Sequence, residues 1–375
     1  MTHGHSELVT RARSTLLEFW DQIAEYEVDD TWRKALSPAY LRYRERFEAS
    51  KRRAHPGGFP VNIEIEASYY CNLRCPFCPR FVGEGERELG HMSYALWRKI
   101  LEESRAHALP SLMLDHEAES MMNPRFFQML EEARDAGIMD LWLSTNGVLL
   151  TPDRSARLID GGLTKLNVSI DAATPETHAV LRVGARFEQV VANVRALLRL
   201  KQDKGADHLR VRISFVEQRE NAHEKRAFFD FWRREPGVNL VTFQECIDFS
   251  PFEKPDADAG LGERELEEKY AGEDPFHCSL PWEMPIIQSN GDMTPCGRPV
   301  RAHNRDFVLG NVAGGDTIAS CWTGKKMTAL RELHVRGEWY KNPMCRVCVN
   351  SARRSKRELE AVRADVAPGD VDADG

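Results

Sequence analysis

From residue 61 onward, short apolar runs alternate with longer stretches whose apolar residues recur every three or four positions. Read as strands, the short runs are NIEIEAS (62–68), LMLDHE (112–117), LWLSTNG (141–147), KLNVSIDA (165–172), LRVRISFV (209–216) and NLVTFQE (239–245). The stretches between them read as helices with recognisable starts. Ser93 stands as an N-cap before YALWRKILEESRAH, whose Leu96, Ile100 and Leu101 share a face. Asn123 with Pro124 opens a helix that stops at Gly137, and Thr151 with Pro152 opens the next. TPETHAVLR and NAHEKRAFFDFWRRE supply two more. Six strands alternating with helices predict a parallel α/β sheet. No G-x-G-x-x-G follows a strand, which argues against a dinucleotide fold, but periodicity alone leaves an open sheet and a barrel undecided.

The flanks have different patterns. Residues 1–57 read as a helical extension: Leu16, Leu17, Trp20, Ile23 and Ala24 lie at helical spacing, and Ser37 before Pro38 caps a second helix ending in Lys51-Arg52-Arg53, a solvated end. This extension is either an added layer over the sheet or a substrate lid or docking arm. HPGGFP marks the boundary, so the sheet domain is taken as 58–246. Residues 247–277 are polar and Pro/Gly-punctuated, a linker or a loop over a site. A small domain over 278–350 follows, in which PWEMPIIQSNGDMTPC reads as two strands joined at Asn290-Gly291. The polar tail 351–375 is expected to be disordered at its end.

Composition narrows the function. At 375 residues the chain holds one large domain and one or two small ones. A net charge of −7 argues against a general nucleic-acid binder. No apolar run reaches the length of a membrane span and no secretory signal is visible, so no membrane partner is expected. Nine cysteines without such a signal point to a reducing compartment, the cytoplasm, and to metal ligation.

Three of the cysteines, Cys71, Cys75 and Cys78, form C-x3-C-x2-C directly after the first strand. Three thiols in so short a spacing suit an iron–sulfur cluster and leave one iron of a four-iron cluster open. Zinc, which takes four ligands and favours C-x2-C pairs, fits this spacing poorly. With the aromatic Phe77 before the third cysteine, the stretch resembles the radical S-adenosylmethionine (SAM) superfamily. That resemblance implies a partial (β/α)6 TIM-like barrel with functional groups at the carboxyl ends of its strands.

The resemblance extends along the strand ends. Glu117-Ala118-Glu119-Ser120 stands where the family often has G-G-E-P, so Ala118 and Glu119 would hold the SAM amino group. Asn146 lies in the strand-three end, Ser169 in the strand-four end, and Arg182 follows; a serine hydroxyl and an arginine suit the SAM carboxylate. Val216, after strand five, would pack on the adenine. Each also has an ordinary reading as a cap, a loop acid or core.

A second group, Cys278, Cys296, Cys345 and Cys348, resembles the SPASM/twitch extensions of the same superfamily, together with LGN at 309–311 and the final C-x2-C. The hairpin would set Cys278 and Cys296 on neighbouring strands. Four ligands suit one auxiliary [4Fe–4S] cluster of the shorter twitch type; four cysteines in two arms also suit a zinc ribbon. Cys321 reads as core. Cys246, just past the sixth strand, is either a buried small hydrophobe or a thiol at the barrel mouth able to give a hydrogen atom to a substrate radical.

The resemblance implies SAM and two [4Fe–4S] clusters as cofactors, an external one-electron reductant such as flavodoxin or ferredoxin, and hydrogen abstraction by a 5′-deoxyadenosyl radical. The expected reaction is oxidation of an alcohol on a carbohydrate or aminocyclitol, as in aminoglycoside pathways, with Asp115, Glu117 and Glu245 as acids for an amino sugar. A redox-neutral epimerase using Cys246, a maturase of ribosomal peptides and a non-catalytic metal-binding protein are the alternatives.

Overall fold

The computed structural model describes residues 23–365 apart from 54–55, 82–87, 271–275, 277 and 301. Six parallel strands fall where the apolar runs predict them: β2 (Asn62–Ile65), β3 (Ser111–Met113), β4 (Asp140–Thr145), β5 (Lys165–Ser169), β6 (Arg210–Glu217) and β7 (Leu240–Glu245). They pair in chain order. The helices between them are α2 (Tyr94–Ala106), α3 (Phe126–Asp135), α4 (Pro152–Asp160), α5 (Pro175–Leu181), α6 (Phe187–Asp203) and α7 (Lys225–Trp232).

Alternation along each strand sorts the two faces. Ile63, Ile65, Leu112, Leu141, Leu143, Val168, Ile213 and Phe243 join the helices in one large apolar core. The opposite face carries Glu64, Asp115, Ser144, Asn167, Ser169, Arg212 and Ser214, and is the inside of a TIM-like partial barrel. Its side chains bond across strands: Arg212 Nε donates to Asn167 Oδ1 at 3.0 Å and Ser214 Oγ to Ser169 Oγ at 3.3 Å. One end of the barrel is plugged by Lys165 Nζ on Asp140 Oδ2 (2.6 Å) and by the Tyr43 hydroxyl on the same oxygen (2.9 Å). The caps expected at Ser37, Ser93 and Thr151 each accept a backbone N–H of the first helical turn, as does Thr174 before α5. Asn123 does not cap α3; its side chain accepts from Arg125 N and donates to Ala67 O, tying the loop to the end of β2.

The extension differs from its reading as helix. Leu16, Leu17 and Trp20 lie outside the described residues, and Ile23–Glu27 form a strand, β1, antiparallel to β7. The exposed edge of β7 offers unpaired backbone groups, and Tyr26 packs between Phe229 (5.1 Å) and Phe243 (5.9 Å). α1 (Pro38–Lys51) follows as expected. Arg53, read as solvated, donates to the His334 carbonyl.

Beyond β2 the sheet continues through β8 (Ile286–Ile287), β9 (Asp292–Thr294) and β10 (Gly310–Asn311), giving ten strands among the described residues. The hairpin turns at Gly291 (φ +91°), where a Cβ would lie 2.5 Å from Ala313 Cβ. The segment read as a linker contains α8 (Glu263–Tyr270), whose Tyr270 stacks on Tyr340. Cys278 is not on a strand: Pro281 starts a short helix, α9 (Leu280–Glu283), and Cys296 lies past β9. α10 (Ile318–Thr323) and α11 (Lys325–Val335) lead to α12 (Pro343–Asp365). The polar tail is helical to residue 365, because Leu359 and Val362 pack on Ala222 and Arg363 pairs with Glu217 and Glu245; the end expected to be disordered lies outside the described residues. No helix among the described residues is long and apolar enough to cross a membrane.

Candidate active site

The loop after β2 brings Cys71, Cys75 and Cys78 to the carboxyl end of the barrel. Neighbouring strand ends hold it in place. Arg74 N donates to Val183 O (2.9 Å), and Asn146 Nδ2 donates to Asn72 Oδ1 (2.8 Å). Gly184, at φ +102°, lets its backbone approach Asn72 and Leu73. Burial raises all three thiols, Cys78 to about 12.

Glu119 is buried at the end of β4. Thr145 Oγ1 donates to its carboxylate (3.0 Å), as does Asn146 N (3.0 Å). Burial, only partly offset by these donors, pushes its acidity to about 7. Ala118 is half-buried beside it. Arg182 forms an ion pair with Asp171, lies 3.7 Å from Cys75 Sγ, and covers the Phe77 ring at 5.3 Å. Asp171 adopts φ +63° and accepts from Val216 N at 2.8 Å, so Val216 is joined to this group through its backbone. Ser169 lies deeper in the barrel, bonded to Ser214.

A cavity of about 430 Å³ opens beside this loop. Pro76, Phe77 and Cys78 line one side, Glu217 and Cys246 the strand ends, and Ser355, Glu358, Leu359 and Val362 of α12 the far wall. Cys246 therefore faces a cavity, and burial, with the charge of Asp171, raises its thiol to about 12. Glu245 accepts from Arg363 Nη1 through Oε1 at 2.9 Å, while its Oε2 is buried without a hydrogen-bond partner among the described residues.

Asp115 and Glu117 are buried in a set that the sequence did not single out. Glu64 Oε1 lies 2.6 Å from His116 Nδ1, and His116 Nε2 lies 3.8 Å from Glu117 Oε1, with Glu66 alongside. Burial, with the charge of Glu64, lifts Asp115 to about 8; burial lowers His116, but Glu64 and its hydrogen bond outweigh this and raise it to about 9. The E-I-E alternation of Glu64 and Glu66 was the signal available for this set.

The second thiol group also converges. Cys278, Cys296, Cys345 and Cys348 line one small cavity with Arg298, His334, Leu280, Phe307 and Met344. Cys345 and Cys348 sit one turn apart at the start of α12, and Asn342 Oδ1 accepts from Cys345 N. Burial raises Cys278, Cys296 and Cys345. A single tetrahedral zinc, at about 2.3 Å from each sulfur, holds its thiolates about 3.8 Å apart. Among the described residues the only set of three or more metal-binding side chains with ligand atoms all within 4.8 Å is Glu66, His116 and Glu117. Three and four cysteine thiolates are the donor sets that iron–sulfur clusters take.

Comparison with known proteins agrees. Residues 65–210 match the radical SAM superfamily, and residues 278–349 match the SPASM iron–sulfur cluster-binding domain. The tungsten-containing aldehyde ferredoxin oxidoreductase cofactor-modifying protein of Pyrococcus furiosus is 24% identical over 76% of this chain and 86% of its own length. Mycofactocin maturase MftC of Mycobacterium tuberculosis is 28% identical over 73% of this chain and 72% of its own. The AdoMet-dependent heme synthase of Methanosarcina barkeri is 32% identical, but over only 37% of this chain and 39% of its own. Among solved structures, anSMEcpe with bound AdoMet superposes with a TM-score of 0.55 at 17% identity, covering 81% of this chain and 96% of that one. BtrN in complex with AdoMet and 2-DOIA gives 0.50 at 17%, covering 76% and 91%.

Proposed function

Because the chain belongs to the radical SAM superfamily and carries a SPASM iron–sulfur domain, we propose that it is an oxidoreductase that removes hydrogen from an alcohol carbon of a carbohydrate or aminocyclitol. One observation carries the reading. A single cavity of about 430 Å³ touches both Cys78 of the first thiol loop and α12, the helix that bears Cys345 and Cys348 of the second. That volume suits a small molecule, held against the first thiol loop and enclosed by the helix that also carries part of the second thiol group. When bound, a cluster on Cys71, Cys75 and Cys78 together with SAM supplies a hydrogen-abstracting radical, and a cluster on the other four cysteines supplies an electron acceptor. Two clusters, an external reductant such as flavodoxin or ferredoxin, and a cytoplasmic setting belong to this reading.

The protein's own residues bind and orient. Glu119 offers a carboxylate for the SAM amino group, and Arg182, with Ser169, a donor for its carboxylate. Asn146 holds the thiol loop through Asn72. Phe77 and the α12 side chains enclose the substrate and exclude water. BtrN, which has the same fold, is described with a small molecule, 2-DOIA. Cys246 favours a second reading: a thiol on the same cavity wall, held neutral by burial, suits return of a hydrogen atom and hence epimerisation. A peptide substrate is the third reading, as for the maturase relative.

The test is anaerobic incubation of cluster-reconstituted protein with SAM, dithionite and a panel of amino sugars and aminocyclitols deuterated at their carbinol carbons. Deuterium in 5′-deoxyadenosine with a product two hydrogens lighter supports oxidation. Inverted configuration with the transferred deuterium replaced by one hydrogen, a product one mass unit lighter, supports epimerisation. SAM cleavage with no transfer from any member, but transfer from a peptide, overturns the small-molecule reading. Cys278→Ala should still cleave SAM while losing the oxidised product.

A further inference from the structure

The ends of β2 and β3 bury an unusual concentration of charge. Glu66 is fully buried, Asp115 is 4% exposed, and the side chains of His116 and Glu117 are 5% and 3% exposed. Elsewhere the barrel satisfies such groups with donors. Glu224, for example, accepts from Ala173 N, Thr174 Oγ1 and Thr177 Oγ1. At this site ligand atoms of Glu66 and Glu117 gather on one imidazole, that of His116. Ser289 donates to Glu66 Oε1 through its N and Oγ (3.1 and 2.6 Å), and His116 Nδ1 meets Glu64 Oε1 at 2.6 Å. Asp115 Oδ1 is buried beside this group with no hydrogen-bond partner among the described residues. Burying several carboxylates together is costly unless a cation compensates them.

The distances identify the kind of cation. His116 Nε2 and Glu117 Oε1 are 3.8 Å apart, beyond hydrogen-bond range. Two metal–ligand bonds of about 2.1 Å each span that gap at an angle of roughly 120–130°. Ligand atoms of Glu66, His116 and Glu117 all lie within 4.8 Å of one another. With Nδ1 bonded to Glu64, His116 presents Nε2 to the two acids, the carboxylate–histidine arrangement that orients imidazole ligands. We infer that Glu66, His116 and Glu117 bind a divalent metal ion of the Mn²⁺, Fe²⁺ or Zn²⁺ class, with Glu64 orienting the imidazole and Asp115 beside it. One nitrogen with two or three carboxylate oxygens selects these ions over calcium or magnesium. The site is separate from both thiol groups, though close to each: a Cβ at Gly297 would lie 3.2 Å from His116 Cε1, and the Glu117 carbonyl accepts from Cys78 Sγ at 3.8 Å.

Mn²⁺ is the probe, because it discriminates against thiolates already holding iron. Cluster-reconstituted full-length protein is titrated with Mn²⁺, and free ion is followed by electron paramagnetic resonance. The expected result is one bound Mn²⁺ per chain with the nitrogen coupling of a single imidazole in the spin-echo spectrum. His116→Gln should abolish that coupling, and Glu117→Gln and Glu64→Gln should weaken binding about 10–100-fold while keeping it. Iron and sulfide content reports that each variant still folds around its thiol sites. Absence of saturable binding in the wild type, binding without nitrogen coupling, or equal binding in His116→Gln would overturn the assignment. None of these readouts depends on SAM cleavage or on any substrate, so the proposed reaction stands or falls separately.

Discussion

Arg363 clamps the far end of α12 to the barrel, and its removal tests how the cavity wall is held. Its Nε and Nη2 meet the two oxygens of Glu217 at 2.8 and 2.6 Å, and its Nη1 meets Glu245 Oε1 at 2.9 Å. The Glu217 and Glu245 side chains are 2% and 10% exposed, and Arg363 is 26% exposed. Removing one partner of a buried pair costs about 3–5 kcal/mol, because a charge is left stranded. Here Lys225 remains 3.4 Å from Glu217 and the arginine is partly solvated, so Arg363→Met should cost about 2 kcal/mol. That is roughly a 30-fold rise in local opening of the last turns of α12, read by hydrogen exchange over residues 355–365. The sign with pH follows from Glu217, whose donors hold it below the usual carboxylate range once the burial cost is overcome. Its contribution is present above the unfolded glutamate value and is lost as pH falls through the depressed folded one. Arg363→Met with Glu217→Gln and Glu245→Gln removes the stranded charges and should recover part of the loss. Unchanged exchange in the single variant, or a triple variant opening more than the single one, would refute the reasoning.

Three further outcomes are expected. Replacing Cys75 by Ala should abolish SAM cleavage by the reduced protein and lower iron content, leaving the second thiol group loaded; retained cleavage contradicts the site. Cys246→Ala should leave deuterium transfer into 5′-deoxyadenosine intact; if the protein epimerises, the variant accumulates uncoupled cleavage, and unaltered epimerisation excludes the thiol as donor. Glu119 must be ionised to accept from an ammonium group, and its acidity of about 7 predicts that SAM binds more tightly as pH rises through that value, about tenfold per unit below it. Calorimetric affinities that stay flat between about pH 6 and 8 would remove Glu119 from the amino-group role.

What could be read in the sequence follows from which side of an element faces the solvent. Each barrel strand packs an apolar face on helices, so Leu112, Leu141, Val168, Ile213 and Val241 mark the strands plainly. The other face is polar as though it met water, but it lines the barrel interior. That is why Glu64 and Glu66 read as an ordinary half-exposed alternation while forming, with His116, the most concentrated buried charge in the barrel. Cysteine spacing identified the first thiol group without any geometry, since ligand residues near in sequence converge almost regardless of the local backbone; the second group, spread over residues 278–348, was legible only through its resemblance to a known extension. Spacing could not place Cys278, which lies just before the short helix α9, whose Leu280 joins Val300 and Phe307 in a local apolar cluster. Edge pairing is equally non-local: residues 23–27 carry a helical pattern, yet the open edge of β7 and the rings of Phe229 and Phe243 make them a strand.

The helix α12 shows the same limit and explains how the element that bears Cys345 and Cys348 also walls the cavity beside Cys78. Its buried face carries Val349, Leu359 and Val362 with the smaller Ser351, Ala352 and Ser355 between them. The face is specified by partners far away in sequence. Ser355 Oγ accepts from Asp248 N, Ser351 Oγ bonds Asp248 O, Leu359 and Val362 pack on Ala222, and Arg363 pairs with Glu217 and Glu245. All of these partners belong to the loops and strand ends around Cys246. A helix that begins with Cys345 and Cys348 is thereby laid across the barrel mouth, and one element runs from the second thiol group to the wall of the cavity beside Cys78. Small side chains on that face let the helix approach closely, so enlarging Ser355 or Ala352 would push the wall outward. Specificity for a small substrate would then be written in the part of the chain whose sequence looks least informative.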